Sequence, residues 1–155
     1  MNTVAEILRS KPAQTVHTLE PAASVHDAVA LMTDRNVGAI VVVESGKVVG
    51  IVSERDCARK VVLMERSARD TTLVDIMSSP VMYVHPHRTI EECMALMTEN
   101  RLRHLPVMDG ERLIGLVSIG DLVKALITEQ QFIIDQLEHY ISGQRDPGPA
   151  IGDDA

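Results

Sequence analysis

Aromatic residues are nearly missing from this chain: Tyr83, Phe132 and Tyr140 are the only three in 155 residues, and there is no tryptophan. Hydrophobic residues nonetheless make up 45 % of the sequence, so its core must be aliphatic, filled out by eight methionines. Base stacking on aromatic platforms, the usual way of holding single-stranded nucleic acid, is excluded as a main activity. Positive charge is also in short supply. The 15 basic and 22 acidic residues leave a net charge of −7, which disfavours nonspecific attachment to DNA or to an anionic membrane. Any bound anion must therefore be held by a local cluster. Cysteine occurs twice, at Cys57 and Cys93, with no Cys-x-x-Cys spacing; these read as two free buried thiols in a reducing compartment. No apolar run approaches the roughly 20 residues of a membrane span, and Met1 to Lys11 carries no leader-like stretch. The expected location is cytoplasmic, with neither membrane nor nucleic acid as a partner. No P-loop, G-x-G-x-x-G or nucleophile–base motif is present, so no catalytic residue is assigned and the chain is not expected to be an enzyme.

What the chain does have is an internal repeat. Gly50-Ile51-Val52-Ser53-Glu54-Arg55-Asp56 returns as Gly115-Leu116-Val117-Ser118-Ile119-Gly120-Asp121, and Ala30-Leu31-Met32-Thr33 returns as Ala95-Leu96-Met97-Thr98. Residues 15–61 align with 80–126 without a gap, and eleven positions are identical, Pro21/Pro86 and Gly50/Gly115 among them. Shared glycine and proline imply shared backbone turns. Two copies with so long a period point to a pseudo-two-fold pair.

Each copy opens with a β-like run, Val16 to Leu19 or Val81 to Val84, ended by Pro21 or Pro86. A helix follows, announced by Ser24-x-x-Asp27 or Thr89-x-x-Glu92, with apolar positions at i, i+3, i+4 and i+7. Two further β-runs come next, Ala39 to Val43 with Val48 to Val52, and Leu105 to Met108 with Leu113 to Val117, each pair around a glycine-containing turn. A second helix opens after Ser53 or Ser118. The expected class is α+β, two β-α-β-β-α repeats, with Val4 to Leu8 and Val74 to Met77 as lead-in segments. Residues 4–64 form the first repeat, 65–72 a charged linker and 73–130 the second repeat. An amphipathic C-terminal helical extension covers 131–142, and the Gly-, Pro- and Asp-rich residues 143–155 read as a disordered tail.

Each Gly-x-x-Ser-x-x-Asp lies where a strand gives way to a helix. Backbone N–H groups and the positive end of the helix dipole favour a phosphate there, and an ionised aspartate, able only to accept, suits the paired hydroxyls of a ribose. Ser-x-x-Asp is also a capping box. The recurrence of Gly50 and Gly115, where another backbone or a ligand would come close, favours the nucleotide reading.

These motifs, with Arg103-His104-Leu105-Pro106-Val107 and Val74-Asp75-Ile76-Met77, resemble a tandem pair of CBS domains, the sensor modules named after cystathionine β-synthase, over residues 4 to about 127. The resemblance implies a pseudo-two-fold pair with two crossed clefts for an adenosine-containing ligand: AMP, ADP, ATP, NAD or a related adenosyl compound. One cleft would combine Ser53, Arg55 and Asp56 with Met82, Leu102, Arg103 and His104. The other would combine Ser118, Gly120 and Asp121 with His17, Val37, Gly38 and Ala39. Permanent positive charge is expected only in the first. The first copy departs from the family pattern in having Val41 where the second has Pro106. The resemblance also implies a homodimer, with output through that assembly or a protein partner. Two alternatives stand beside this reading: an unliganded dimerisation adaptor, and a nucleotide hydrolase using Glu54 or Glu44. Arg55, Arg59, Lys60, Arg66 and Arg69 read as a solvated face or as a collar around phosphates. His85-Pro86-His87 does not match a usual metal-ligand spacing, so no metal is assigned.

Overall fold

The computed structural model describes residues 2–11 and 16–145. The element order is helix α1 (Val4–Ser10), strand β1 (Thr18–Leu19), α2 (Val25–Arg35), β2 (Ala39–Glu44), β3 (Lys47–Ser53) and α3 (Glu54–Cys57), which loosens into a π-helical turn over Ala58–Val62. A 3-10 turn (Leu73–Asp75) leads to α4 (Ile90–Asn100), β4 (His104–Asp109), β5 (Arg112–Ser118) and α5 (Ile119–Arg145). Caps set the helix starts. The Asp27 N–H donates to Ser24 Oγ (3.0 Å), and the Glu92 N–H to Thr89 Oγ1 (3.1 Å), while the Glu92 carboxylate accepts from the Thr89 N–H (3.0 Å). Such a cap contributes about 1 kcal/mol.

The repeat is carried into the hairpins. β2 pairs antiparallel with β3 and β4 with β5, and both hairpins shift register at the same place, between Val42 and Val43 and between Val107 and Met108. Their turns use Gly46 and Gly110, both at positive φ. The opening strands are shorter than expected. In the first copy Thr18–Leu19 pairs parallel with Val41 and Val42; in the second, the run Val81 to Val84 makes only a bridge between Val84 and Val107. The Val41 N–H donates to the His17 carbonyl at 3.4 Å. Its counterpart Pro106 has no N–H to give, and the second pairing stops short.

The two cores are interleaved. α1 closes the second copy: the Val4 N–H donates to Arg88 O (2.9 Å), the Ala5 N–H to Pro86 O (2.7 Å) and the Ile90 N–H to Asn2 O (3.0 Å). Val4 and Ile7 are buried in one cluster with Ile90, Cys93, Met97, Leu105, Val117 and Leu122. The segment between the copies closes the first, with Leu73 and Ile76 buried among Val25, Ala28, Met32, Ile40 and Val52, and with backbone bonds from Val25 to Thr71 and from Leu73 to Ala23. Residues 65–72 therefore do more than connect. Thr71 is itself buried, its hydroxyl bonded to Ser67 O at 2.6 Å.

The second helix of the second copy and the C-terminal extension expected at 131–142 form one continuous helix, α5, which still runs at 143–145. The rest of the expected tail, 146–155, lies outside the described residues. Cys57 and Cys93 are free and buried as expected, and burial raises both thiols above their ordinary range.

Because Ile7 belongs to the second core, Ile7→Ala should cost about 2–5 kcal/mol in urea unfolding, as for any buried aliphatic side chain. A loss below about 1 kcal/mol would mean that α1 is a dispensable arm.

Candidate functional site

Both Ser-x-x-Asp motifs fold as closed boxes at a strand-to-helix junction. Asp56 Oδ2 accepts from the Ser53 N–H (2.9 Å) and hydroxyl (3.0 Å), while the Asp56 N–H donates to Ser53 Oγ (3.2 Å). In the second copy the Ser118 N–H donates to Asp121 Oδ2 (2.9 Å) and the Asp121 N–H to Ser118 Oγ (3.1 Å). The capping function is thus real in both copies. It engages one carboxylate oxygen, and a carboxylate has about four lone-pair positions, so capping and ligand binding are compatible. The first residue of each helix is tied to the edge of its own hairpin, Glu54 N–H to Gly38 O (3.0 Å) and Ile119 N–H to Arg103 O (2.8 Å).

A cavity of about 470 Å³ opens at the Asp56 junction. It brings Ser53, Arg55 and Asp56 of the first copy together with Leu102, Arg103 and His104 of the second. Met82 does not line it; the shortened opening strand of the second copy leaves that side chain more than a third exposed. Gly38, expected in the other cleft, lines this one. A Cβ there would stand 3.1 Å from His104 Nε2 and 3.5 Å from Glu54 Oε1, so glycine leaves room for the imidazole. Ile51, Glu54, Arg59, Ser78, Arg101 and Ile119 complete the lining. Ile51, Glu54 and Ile119 stand in the repeated motif itself, Arg59 belongs to the basic run read as a solvated face or a phosphate collar, and Arg101 is the counterpart of Asn36. Ser78 had none, since it arrives by pairing with Ile51. A larger but open depression of about 700 Å³, between the hairpin turns, gathers none of the expected site residues.

The Asp121 junction differs from expectation. Lys11, at the end of α1, places Nζ 3.0 Å from Asp121 Oδ2 and donates to Leu116 O at 2.8 Å. The cleft expected to lack a cation has one, delivered by the interleaved lead-in. Among its other expected members, Ala39 is fully buried and Val37 packs against the first core. His17 presents its carbonyl to Val41, and Gly120 is exposed in the first turn of α5.

Profile comparison matches the CBS domain to residues 4–63 and again to 73–128. The chain belongs to the CBS domain family. It is similar to the mitochondrial CBS domain-containing protein CBSX3 of Arabidopsis thaliana, 42 % identical over 125 residues, a match covering 77 % of this chain and 61 % of that protein. The chain thus spans about three fifths of that relative's length. Among solved structures, a protein with CBS domains from Burkholderia ambifaria is 53 % identical with a TM-score of 0.80, covering 83 % of this chain and 96 % of that one. The CBS domain pair of protein MJ0100, in complex with 5-methylthioadenosine and S-adenosyl-L-methionine, shares the fold at 22 % identity and a TM-score of 0.73, covering 82 % of this chain and 97 % of that one.

In this CBS pair the paired glycines do not answer to a ligand. A Cβ on Gly50 would strike the Met77 side chain, and one on Gly115 would come within 2.6 Å of Leu8 Cδ2. The recurrence comes from the lead-in segments, each seated on the other copy's strand. Metal is not provided for among the described residues, where no group of three His, Cys, Asp or Glu could hold an ion. His85 and His87 stack in parallel, 5.8 Å between centroids.

Burial holds His104 below the ordinary imidazole value of 6.5, Asp121 pulls the other way, and Arg103 and Lys11 add to the depression. The depression favours the neutral imidazole. Because its folded pKa lies below the unfolded one, the unfolded chain binds more protons in that window, and stability falls as pH drops below about 6.5. His104→Gln should flatten this part of the pH–stability curve, measured by thermal unfolding between pH 7.5 and 5. An unchanged slope would remove His104 as its source.

Proposed function

We propose that this CBS pair is a regulatory module that binds an adenosine-containing nucleotide (AMP, ADP, ATP, NAD or a related adenosyl compound) in the Asp56 cleft. The observation that carries the reading is the single cavity joining Ser53 and Asp56 of one copy to Leu102, Arg103 and His104 of the other. Asp56 accepts the ribose hydroxyls. The apolar walls Ile51, Leu102 and Ile119 take the base, and Ser53 with Arg55 and Arg103 takes the first phosphate. The complex of the MJ0100 pair with two adenosyl compounds supports this class of ligand. In the Asp121 cleft the same ligand would have to share the carboxylate with Lys11, which makes that site the weaker one.

No catalytic step is assigned, and the output passes through assembly or a protein partner in the cytoplasm. No helix among the described residues is long and apolar enough to cross a membrane. Ile127, Ile133, Ile134, Leu137 and Ile141 stand exposed along α5, an apolar face that a homodimer would cover.

Asp56→Ala should weaken nucleotide binding about 10- to 150-fold in calorimetry, the cost of a lost hydrogen bond to a charged group. Binding unchanged in both Asp56→Ala and Asp121→Ala would reduce the motifs to caps. Light scattering at micromolar concentration should give the mass of a dimer, and a stable monomer would remove the proposed assembly.

A further inference from the structure

Four arginines converge on the Asp56 cleft in a chain whose net charge is −7: Arg55 and Arg59 on one wall, Arg101 and Arg103 on the other. Glu54 and Asp56 line the same cavity, yet among the described residues none of the four guanidinium groups has a carboxylate within 4.0 Å. Asp56 is engaged by its own box and by Lys60, 3.6 Å away. Four like charges against two carboxylates, with none of the four in an ion pair, repel one another, an arrangement suited to an anion that enters from outside.

Arg101 adds an independent observation. It ends α4 with φ of 55°, the left-handed conformation, and its counterpart ending α2 is Asn36, also at 55°. Asparagine tolerates that conformation far better than arginine does. The second copy thus carries a residue poorly suited to its backbone at a helix end that borders the cavity. Backbone conformations of this kind cluster at ligand sites.

The arginines of one wall also differ in reach. Arg55 is adjacent to Asp56, whereas Arg59 lies one turn further along, away from the ribose-binding end. We infer that the Asp56 cleft selects a nucleotide with more than one phosphate, and that Arg59 and Arg101 are the specificity-determining residues, reading the phosphates beyond the first. This rests on the adenosine reading above. Guanidinium suits the task because its fixed fork pairs bidentately with phosphate oxygens.

The test is calorimetric titration with adenosine, AMP, ADP, ATP and inorganic tripolyphosphate, at fixed ionic strength and without magnesium, on the wild type, Arg59→Gln, Arg101→Asn and the double variant. Arg101→Asn installs the residue already found in this conformation at position 36, and thermal unfolding checks that the fold is kept. ATP should bind at least about tenfold more tightly than AMP. Each single change should cost ATP about fivefold, the scale of a partly exposed ion pair, and the double variant should bring ATP to the level of AMP while adenosine and AMP move less than about twofold. Equal affinity for AMP and ATP in the wild type, or an equal loss for all ligands in the variants, would overturn the inference and leave the adenosine reading standing. Tripolyphosphate binding as tightly as ATP, lost in the same variants and with adenosine silent, would support the arginines as polyphosphate readers and overturn the adenosine reading instead.

Discussion

The structure depends on two side chains filling two glycine notches. Leu8 lies over Gly115 and Met77 over Gly50, so that each lead-in segment is seated where any side chain on the strand would collide with it. Seating α1 buries Val4 and Ile7 in the second core, and seating the inter-copy segment buries Leu73 and Ile76 in the first. Neither hairpin and helix pair has a complete core without its lead-in. With few aromatic residues to supply large buried surfaces, the close fit of small aliphatic side chains has to provide the cohesion.

The same seating sets the electrostatics of the clefts. α1 ends at Lys11, whose ammonium bridges Asp121 and the Leu116 carbonyl. At the other junction Lys60 donates to Ile76 O (2.9 Å) while approaching Asp56. Each aspartate thus lies beside a lysine that also holds a backbone carbonyl, and in each case the lysine or its carbonyl belongs to a lead-in. The difference is one of degree: a direct ion pair at 3.0 Å on Asp121, a looser approach at 3.6 Å on Asp56. Each carboxylate is thus linked through one lysine to a segment that closes a core.

Much of this was legible before any coordinates. The gapless repeat, the Ser24 and Thr89 caps, the two hairpins and the strand-to-helix position of Ser53 and Ser118 all follow from local rules: periodicity, turn chemistry and capping act over a few residues and leave their mark in the sequence. Arg103, His104, Ser53 and Asp56 line one cavity, a combination that came from the resemblance to CBS pairs and not from any local rule. Where local rules compete with one missing donor they fail, as at Pro106, whose lack of an N–H cut the second opening strand to a single bridge.

The sequence by itself determined the repeat, the fold class and the two acidic junctions, because caps, turns and periodicity are encoded within windows of a few residues and the same windows recur along the chain. Only the tertiary structure decided which copy each lead-in would close, that Gly50 and Gly115 make room for Met77 and Leu8, that Lys11 reaches Asp121, and that Arg59 and Arg101 border the Asp56 cleft. Those are contacts between residues far apart in the chain or on different elements. They depend on how two nearly equivalent surfaces are paired, and local periodicity carries no information about that choice.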